Sequence, residues 1–567
     1  MSFLALNIAS QMMANSRMSL EIIGQNINNS QVKGYSRQEA VQSIDIAYKF
    51  AGSGNLTMGL GARISNIIRY RSNYLNENFR FENILTGEFE GKEYYLTEIS
   101  EAFTDTSEFG IPFMLNDFWG AWNTAAQTPS DIALRKMVIE KGNSLARSIR
   151  EKVNKINDMK DRLDTEIDGI VSRVNTLLRE LASINDQVVT AQGSTYQTNV
   201  LLDKRDLMLD ELSNLMDIQI VSSEEGSLSI YVDGAPLVSG KQAYELDLQK
   251  DASGDFHLMS AQGRELNVRS GKFAGLMDVR NNYLPGYMDE FDEMTTTLIE
   301  KVNNFHKYGY GIDGSTGLDF FSGTSASDIQ VVLNNPESLA LSVPSLTSTS
   351  NINVDGEKVS SIVPLINELA DFITTPDPGG TGTGKFTVNG IEVTWDLNDT
   401  LDNILTRINT LTGIEVKFDS NSQKITLSMP IDSSTITVVD VAGNFGAFTN
   451  LSTAITEAGQ PGDGLNGIRI FEISTTAVFG NPTPTVTIND KYKNLAALVG
   501  FDTQHAISSK NIQMQYLQSI DDLRSSESGV SVDEEVVKLT QYQRIFQAGA
   551  KLSNVVDKMF ETLISMR

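Results

Sequence analysis

The apolar positions of this chain repeat most regularly at its two ends. Leu6, Met13, Leu20 and Ile27 recur at intervals of seven near the start. Near the end, apolar residues follow three- and four-residue steps. An apolar seam of this period is what one helix needs in order to pack against another. The pattern therefore predicts a helix at each end whose seam requires a partner.

The predicted self-assembly residues lie on these two seams and at the end of the first helix. In the N-terminal segment they are Phe3, Leu6, Met13, Leu20, Ile23, Ile27, Asn28, Asn29, Gly34 and Tyr35. In the C-terminal segment they are Val532, Val536, Leu539, Phe546, Val556, Met559, Phe560 and Leu563. The asparagines, with Asn26, either cap the first helix or bond across subunit contacts. Gly34 provides a positive φ, and Tyr35 provides an amphipathic anchor.

The free energy of an isolated terminal helix favours association. Ordering a residue costs about 1–2 kcal/mol, so a lone amphipathic helix is marginal in water. Burying a large apolar residue of the seam stabilises the helix by about 1.5–3 kcal/mol, and the residue contributes nothing of this kind while it is exposed. We therefore expect the ends to be poorly ordered in a free monomer and helical in a polymer. The alternative is an intramolecular two-helix stalk that closes a monomer.

The middle of the chain contains segments with the period of long helices. Residues 132–192 are polar-rich and contain no proline, which predicts one or two very long helices that begin after a Pro129 turn. Further helices are predicted over residues 70–103, 199–216 and 284–306 and again after residue 492. Between them, Trp119 and Trp122 lie at helical spacing, either in a core or as a platform for a ligand.

Two stretches have the shorter period of strands. Residues 218–276 are glycine-containing and alternate in polarity, which predicts a small β segment. Residues 385–450 form a compact unit in which Asn389-Gly390 separates two apolar-rich strands, the strongest short-range hairpin signal. A helix over residues 401–411 and strands over 414–418 and 424–428 complete the prediction for this unit.

These elements predict a multidomain α+β protein with three parts. Residues 1–45 with 520–567 form a terminal α-helical coiled-coil domain. Residues 46–340 with 485–519 form a long-helix rod domain with a small β part. Residues 341–484 form an inserted β-rich outer domain, because serine, threonine, asparagine and glycine become frequent near residue 343 and long helices return only later.

Composition and charge narrow the function classes. The formal net charge of −27 argues against nucleic acid or an anionic membrane as a partner. The first 45 residues balance three basic and three acidic residues, whereas residues 355–480 carry sixteen acidic and six basic ones. No cysteine is present, and no apolar run is long enough to cross a bilayer. No cleavable signal peptide is evident in the opening residues.

Catalytic patterns are missing from the sequence. His257, His306 and His505 are far apart and have no metal-ligand spacing, so we expect no metal and no cofactor. The acidic run that starts at Asp533 begins a helix, where the helix dipole favours negative charge. We therefore predict a protein that is not an enzyme.

Four stretches, in order along the chain, carry a resemblance to a known family. They are Asn26-Ile27-Asn28-Asn29-Ser30 with Gly34-Tyr35-Ser36-Arg37-Gln38, Leu201-Leu202-Asp203-Lys204-Arg205-Asp206 with Leu209-Asp210-Glu211-Leu212, Gly275-Leu276-Met277-Asp278-Val279-Arg280 with Leu284-Pro285-Gly286-Tyr287, and Ser528-Gly529-Val530-Ser531-Val532-Asp533-Glu534-Glu535 with Gln541-Tyr542-Gln543 and Met559-Phe560-Glu561-Thr562-Leu563. Together they resemble the hook-associated protein 1 family of bacterial flagellar axial proteins. The usual Thr-Pro before the Gly-Tyr is Val32-Lys33 here. The unit at 385–450 is similar to a small repeat found in flagellins and filament-cap proteins.

The resemblance implies a structural role at the junction between the flagellar hook and filament. It implies a homopolymer ring, contacts with hook protein and with a second hook-associated junction protein, and export unfolded through the flagellum's own channel. It further implies an export chaperone that holds the C-terminal helix before secretion, and a final extracellular location in the flagellum. Nucleic acid and membrane insertion have no place in this function.

Two other function classes remain open from the sequence. One is a different axial component, of the hook or flagellin type. The other is an exported adhesin-like protein that binds a partner through its outer domain.

Overall fold

The computed structural model describes residues 2–44, 48–49, 57–58, 61–104, 110–191, 195–222, 226–252, 254–343, 345–347, 383–396, 399, 401–412, 414–419, 424–428, 436–442, 445, 456–457, 463–480 and 482–565. Its helices are α1 (Ser2–Asn29), α2 (Asn73–Phe103), α3 (Ile111–Gln127), α4 (Ile132–Thr190), α5 (Thr195–Leu215), α6 (Lys272–Asp278), α7 (Leu284–Tyr308), α8 (Leu401–Thr412), α9 (Leu465–Glu472), α10 (Ile488–Ser528) and α11 (Val532–Ser565). A π-helical turn, Val279–Tyr283, joins α6 to α7.

The strands are short and belong to several small antiparallel sheets. They are β1 (Gln38–Ile44), β2 (Tyr48–Lys49), β3 (Thr57–Met58), β4 (Ala62–Arg69), β5 (Gln219–Ser222), β6 (Leu228–Val232), β7 (Ala235–Ser239), β8 (Gln242–Ala243), β9 (Asp247–Lys250), β10 (Phe256–Met259), β11 (Phe321–Ser322), β12 (Gln330–Val331), β13 (Ser345–Thr347), β14 (Thr383–Val388), β15 (Ile391–Asp396), β16 (Glu415–Asp419), β17 (Lys424–Ser428), β18 (Val438–Ala442) and β19 (Thr456–Glu457). The chain is thus a multidomain α+β protein, as predicted, and residues 132–190 form a single helix of 59 residues.

The chain divides into two compact units. Unit 1 comprises Met1–Ile99, Met159–Pro285 and Phe501–Arg567, and unit 2 comprises Ser100–Asp158 and Gly286–Gly500. The boundaries fall within α2, α4, α7 and α10. The three-part division drawn from the sequence stays a prediction.

Unit 1 is built around close helix contacts. The Tyr95 hydroxyl of α2 donates to Glu166 of α4 over 2.9 Å, and Thr503 of α10 donates to the Leu96 carbonyl over 2.9 Å. Gly275 of α6 lies against the α2 backbone so closely that a Cβ there would clash with the Glu88 carbonyl oxygen. A side chain at this position would force the two helices apart.

The predicted β segment of unit 1 is confirmed as a four-stranded sheet, in the order β5-β6-β7-β8, and a β9–β10 hairpin. Asn185 of α4 holds the sheet: its side-chain amide donates to the Leu228 carbonyl over 2.8 Å, and the Leu228 N–H donates back over 3.2 Å. Also in unit 1, β1 pairs with β4, and Ala40 and Ile67 of this two-stranded sheet pack with Ile22 of α1.

Unit 2 has an aromatic core around α3. Trp119 and Trp122 are 1% and 0% exposed, and Phe118 and Phe320 lie beside them with ring centroids 5.6 Å apart. These tryptophans therefore belong to the core and do not form a ligand platform. α9 packs here too, since a Cβ on Gly467 would lie 3.0 Å from the Ala126 Cβ of α3.

The unit predicted at residues 385–450 has the predicted hairpin and helix. β14 and β15 pair antiparallel around Asn389-Gly390, whose φ values of 52° and 81° are those of a type I′ turn. α8 follows, and Phe386, Trp395 and Ile408 lie in one buried cluster. Because the side chains of β14 and β15 alternate, one face of this sheet is covered and the other is solvated.

Candidate functional site

The two terminal helices pair with each other within one chain. Asn26 of α1 lies beside Glu535 of α11, and a Cβ on Gly549 would lie 2.9 Å from Met13 Cγ and 3.4 Å from the Ala9 carbonyl oxygen. Increasing numbers in α11 therefore meet decreasing numbers in α1, so the pair is antiparallel. The structure has the arrangement given above as the alternative, a two-helix stalk.

The contact face of α1 is narrower than the predicted seam. Ala9, Ser16 and Ile23, again seven residues apart, are 0%, 1% and 4% exposed. The predicted Leu6, Met13, Leu20 and Ile27 are half-buried beside this face. Small residues at the centre let the helix axes approach closely, and the larger apolar residues then flank the contact.

The other predicted residues at the N-terminal end differ in exposure. Asn28 is exposed and Asn29 is half-buried, and the Asn28 amide donates weakly to Asn29 over 3.4 Å. The side chain of Phe3 lies outside the described residues.

α11 buries only a thin line of residues against α1. Glu535 and Val556 are 1% and 3% exposed, and Gly549 is buried between them, so the buried positions are multiples of seven residues apart. Leu539 and Phe560, both predicted, are half-buried. One neighbouring helix is not wide enough to cover the rest of the apolar surface.

Four of the predicted α11 residues are exposed: Val532 by 42%, Val536 by 48%, Phe546 by 37% and Met559 by 56%. Val555, which the sequence reasoning left out, is 54% exposed and lies one turn from Met559. The side chain of Leu563 lies outside the described residues. α11 thus has an apolar surface that its own chain leaves open to solvent.

Asn26 is the centre of a buried hydrogen-bond network. Its amide nitrogen donates to the Gln38 carbonyl and to Glu535 Oε2, each over 2.9 Å. Its amide oxygen accepts from the Gln38 N–H over 3.1 Å and from the Tyr35 hydroxyl over 2.8 Å. Both donors and both acceptor positions of the amide are used, so the residue is fully satisfied at 1% exposure. Within one chain, Asn26 therefore links α1 to α11 and to the start of β1 and does not cap α1.

Arg37 joins the terminal helices to the body of unit 1. Its guanidinium lies 3.4 Å from Glu535 and 3.1 Å from Glu39, and it stacks 4.7 Å from the ring centroid of Tyr70. Its backbone N–H donates to the Ser528 carbonyl at the end of α10 over 2.8 Å. Side chain and backbone together fix where α11 starts.

Tyr70 and Glu39, which both contact Arg37, shift each other's pKa values. The Tyr70 hydroxyl donates to Glu39 over 3.0 Å, and this hydrogen bond raises the pKa of Tyr70. Burial alone would raise the pKa of Glu39, but the hydrogen bond from Tyr70 and the charges of Lys538 and Arg37 outweigh it, so the pKa is lowered. Glu39 therefore stays ionised, as its ion pairs require.

A second cluster lies on α5, within the stretch that begins at Leu201. Asp203, Asp206 and Asp210 have a spacing of three and four residues, which places them on one helix face. That face meets arginines from three other segments: Arg69 at the end of β4, Arg80 in α2 and Arg524 in α10. Asp206 lies 2.8 Å from Arg69 and 2.9 Å from Arg80, and Asp210 lies 2.9 Å from Arg80 and from Arg524.

Burial makes these ion pairs dependent on one another. Burial raises the pKa of Asp206, but Arg69, Arg71 and Arg80 outweigh burial and lower it. Burial also lowers the pKa of Arg71, whose side chain is 6% exposed, and that of Arg205 to about 10. Removing one carboxylate would leave buried arginines without compensation.

The two clusters touch through the Tyr35–Gln38 stretch. The Ser36 N–H donates to Asp203 over 3.1 Å, and Asn199 of α5 donates to the Gln38 side chain over 3.3 Å. Gly34, just before, has φ +85°, a value that L side chains rarely adopt. Three of the four stretches singled out in the sequence thus meet at one place, which we call the terminal junction.

The side chains of the terminal junction are joined by hydrogen bonds and ion pairs. Among the described residues, no three histidine, cysteine or acidic side chains are grouped so as to hold a metal ion. None of the described helices is long and apolar enough to span a membrane. The chemistry of the terminal junction is that of a rigid connection between helices.

Comparison with known proteins shows which family this chain resembles. A family model described as the flagellar hook-associated protein FlgK helical domain matches residues 96–321, and one described as the flagellar basal body rod FlgEFG protein C-terminal region matches residues 513–566. Flagellar hook-associated protein 1 of Salmonella typhimurium is 23% identical over 568 residues, with 97% of each chain covered. The chain is similar to flagellar hook-associated protein 1 over nearly its whole length.

Other relatives agree with this assignment. Flagellar hook-associated protein 1 of Bacillus subtilis is 23% identical over 436 residues, which cover 69% of this chain and 82% of that protein. The flagellar hook junction protein FlgK from Burkholderia pseudomallei has a similar fold, with a TM-score of 0.57, 14% identity, and coverage of 81% of this chain and all of that one. The chain is therefore a structural component of the bacterial flagellum.

The sequence reasoning missed most of the terminal junction in this hook-associated protein. Glu535 was assigned to the helix dipole, and Asp206 and Asp210 were noted only within a family motif. The signal that could have revealed Asp206 and Asp210 is the placement of three acidic residues on one face of α5, beside its apolar positions. Such a face needs cationic partners if it is buried.

Proposed function

We propose that this chain polymerises as a non-enzymatic adaptor between the hook and the filament of the flagellum. The observation that supports this most directly is the open apolar surface of α11. Val532 and Val536, and likewise Val555 and Met559, are pairs one turn apart, and all four are at least 42% exposed. Exposed apolar residues in such a pattern on a helix mark a protein interaction surface.

The partners of this surface are other axial subunits. Copies of this chain form a homopolymer ring, with hook protein on one side and a second hook-associated junction protein on the other. A chain of net charge −27 repels its own copies at a distance, so close packing needs faces without excess charge. The terminal helices have such faces outside the acidic first turn of α11.

Export through the flagellum explains features of the chain that assembly into a polymer does not explain. The chain is secreted unfolded through the flagellum's own channel, and a chaperone covers α11 until then. The absence of cysteine from the sequence avoids disulfides that would have to be reduced before passage. The same apolar residues serve the chaperone first and the polymer afterwards.

The outer domain is a separate projection in this proposal. The Val343 N–H donates to the Asp463 side chain over 3.1 Å, so the two ends of residues 344–462 are adjacent. Within the predicted range 341–484, α9 instead packs against α3. We therefore take residues 344–462, within the predicted range 341–484, as the inserted part, and we propose that it faces away from the polymer axis.

Two variants of α11 test the proposal. Met559→Asp should leave hooks without filaments by electron microscopy while the secreted chain stays folded, because the side chain is exposed in the monomer. Asn554→Asp, an exposed position on the opposite side of α11 at this level, is the matched control. Truncation of residues 532–567 should also abolish filaments. Normal filaments on hooks of the truncated strain would refute the adaptor function.

The outer domain allows an independent check. Replacing residues 344–462 with a short glycine-serine linker should preserve filament attachment and swimming. Loss of attachment in a linker variant that is exported and folded would contradict the placement of this domain outside the polymer contacts.

A further inference from the structure

A cleft lies beside the terminal junction, within unit 1. Its volume of about 750 Å³ falls in the range of ligand pockets, about 300–1,000 Å³. The loop that follows α1 forms one wall, and α2, α5 and the end of α10 form the others. We call it the junction cleft. Its lining includes Val32, Lys33, Arg71, Phe79, Leu207 and Arg524.

Two of these lining residues, Arg71 and Arg524, belong to a buried cluster that holds more cations than anions. Among the described residues, the cluster combines five arginines with three buried aspartates of α5. The arginines are Arg69, Arg71, Arg80, Arg205 and Arg524, and the aspartates are Asp203, Asp206 and Asp210. Asp521 lies 3.8 Å from Arg524 but is 47% exposed, and even with it one positive charge remains in excess.

Arg524 shows the effect of this excess most directly. Its Nη2 pairs with Asp210 over 2.9 Å, and its guanidinium stacks 3.9 Å from the ring centroid of Phe79. Its Nη1 is buried and has no hydrogen-bond partner among the described residues. Because a buried charged donor without an acceptor costs free energy, a carboxylate that binds at Arg524 stabilises the cluster through charge-assisted hydrogen bonds.

Lys33 adds a second positive charge to the junction cleft. Its side chain is exposed and makes no ion pair or hydrogen bond with the part of the chain that the structure describes. Glu211 also lines the cleft, but Arg173 neutralises its carboxylate through bonds of 2.6 and 2.8 Å. The uncompensated charge of the junction cleft is therefore positive, in a chain whose net charge is −27.

The walls of the junction cleft also present apolar surface. Val32 is 56% exposed and Leu207 is 36% exposed, and a Cβ built on Gly34 would lie 3.5 Å from the Leu207 Cβ. A ligand of the cleft therefore meets cations and apolar side chains together. A small inorganic anion would use only the cations and would fill little of the volume. A peptide in which apolar side chains flank an acidic one matches both features.

We propose that the junction cleft binds an acidic peptide segment of a partner protein. A carboxylate of the segment contacts Arg524 and Lys33, and a neighbouring apolar side chain packs on Val32 and Leu207. The proposal does not depend on the adaptor function, because all the residues that line the cleft lie within unit 1 of a single chain. It can therefore be tested on the free chain in solution.

Ligand-detected saturation-transfer NMR on the purified full chain measures this binding. The probe is acetyl-Leu-Glu-Val-amide, and acetyl-Leu-Gln-Val-amide is its uncharged counterpart. We expect the Glu peptide to bind at millimolar concentrations and the Gln peptide to bind about tenfold more weakly, because the Gln peptide lacks the charge-assisted hydrogen bonds. Added salt should weaken the binding of the Glu peptide and should leave that of the Gln peptide unchanged.

Substitutions locate the binding site. Arg524→Gln should remove the preference for the Glu peptide, with circular dichroism as the check that the variant is folded. Lys33→Gln alters an exposed side chain, so it should leave the fold intact and weaken binding of the Glu peptide several-fold. Lys136→Gln, at an exposed position of α4, is the matched control and should change nothing.

Three outcomes would overturn the proposal. They are equal binding of the two peptides or binding of neither, an unchanged affinity of Lys33→Gln for the Glu peptide, and full displacement of the Glu peptide by an equal concentration of inorganic phosphate. The last result would assign the cleft to a free anion. None of these measurements involves filament attachment, so failure of this proposal leaves the adaptor function standing.

Discussion

The amide of Asn26 is the most informative single group to alter, because a change of one atom converts its network into a repulsive one. Asn26→Asp keeps the shape of the side chain but replaces a nitrogen donor with an oxygen. That oxygen would lie 2.9 Å from Glu535 Oε2 and 2.9 Å from the Gln38 carbonyl. Two hydrogen bonds are lost, and two carboxylates face each other in a buried site.

The loss of stability caused by Asn26→Asp cannot exceed the free energy needed to protonate one of the two facing carboxylates. Two buried carboxylates at this distance repel strongly, but they relieve the repulsion by sharing a proton. At pH 7, protonating one carboxyl whose ordinary pKa is near 4 costs about 1.4 kcal/mol per pH unit, or about 4 kcal/mol in total. We expect a loss of about 3 kcal/mol in the stability of the α1–α11 pair at pH 7.

The sign of the pH dependence follows from the same reasoning. The carboxyl pair has a raised pKa in the folded state, so the folded form binds more protons than the unfolded form. The stability of the Asn26→Asp variant therefore recovers as the pH falls, and the loss should shrink to about 1 kcal/mol at pH 5. A purely steric defect would show no such recovery.

Hydrogen exchange measured by mass spectrometry resolves the effect locally. Peptides from residues 20–29 and 532–542 should exchange roughly a hundredfold faster in Asn26→Asp at pH 7, since about 3 kcal/mol corresponds to that factor. Asn28→Asp adds the same charge at the same end of α1 but at an exposed position, and should change exchange little. Equal rates in the two variants would refute the assigned role of Asn26.

Three further substitutions probe the rest of the chain by urea unfolding. Gly275→Ala should destabilise unit 1 by several kcal/mol because a Cβ meets the α2 backbone, whereas Gly169→Ala, with open space in α4, should stabilise by about 0.5–1 kcal/mol. Asp206→Asn should cost about 3–5 kcal/mol by leaving buried arginines uncompensated, and exposed Asp186→Asn should cost almost nothing. His306 has a pKa lowered to about 4 by burial, so unit 2 should lose about 3 kcal/mol between pH 6.5 and pH 4. His306→Gln should remove that loss, and an unchanged pH profile would contradict the reasoning.

The direction of the His306 effect is set by its hydrogen bonds. Its Nδ1 lies 2.7 Å from the Leu318 carbonyl, and its Nε2 accepts from the Ala340 N–H over 3.1 Å. Both ring nitrogens are engaged only when the imidazole is neutral. The folded-state pKa therefore lies below the unfolded one, and the stability is present above pH 6.5 and lost as the pH falls.

Local elements could be predicted from the sequence because local physics determines them. The seven-residue repeat predicted α1, and the proline-free run predicted α4. Asn389-Gly390 predicted the hairpin of β14 and β15, since only residues that tolerate positive φ fit its turn. In each case the decisive interactions lie within a few turns or one loop of the residues concerned.

The terminal junction could not be predicted in the same way. Glu535 looks like an ordinary first-turn acid until Asn26 and Arg37 are placed beside it. Periodicity predicts which side of α11 is apolar, but it does not show how many of those residues α1 covers within the same chain. Contacts between residues hundreds of positions apart leave no trace in a local pattern.

The span of the Asn26–Glu535 bond has a consequence for the order of folding. The two residues are 509 positions apart, yet the segments that carry them, residues 26–37 and 528–535, are held side by side by the Arg37–Ser528 backbone bond. Closing so long a loop directly is entropically costly. We therefore expect α1 and α11 to pair only after the rest of unit 1 has folded and has brought the end of α1 next to the start of α11. A partner bound to the last thirty-odd residues would then also prevent the first thirty from docking. Binding at one terminus would therefore control the folding of both termini.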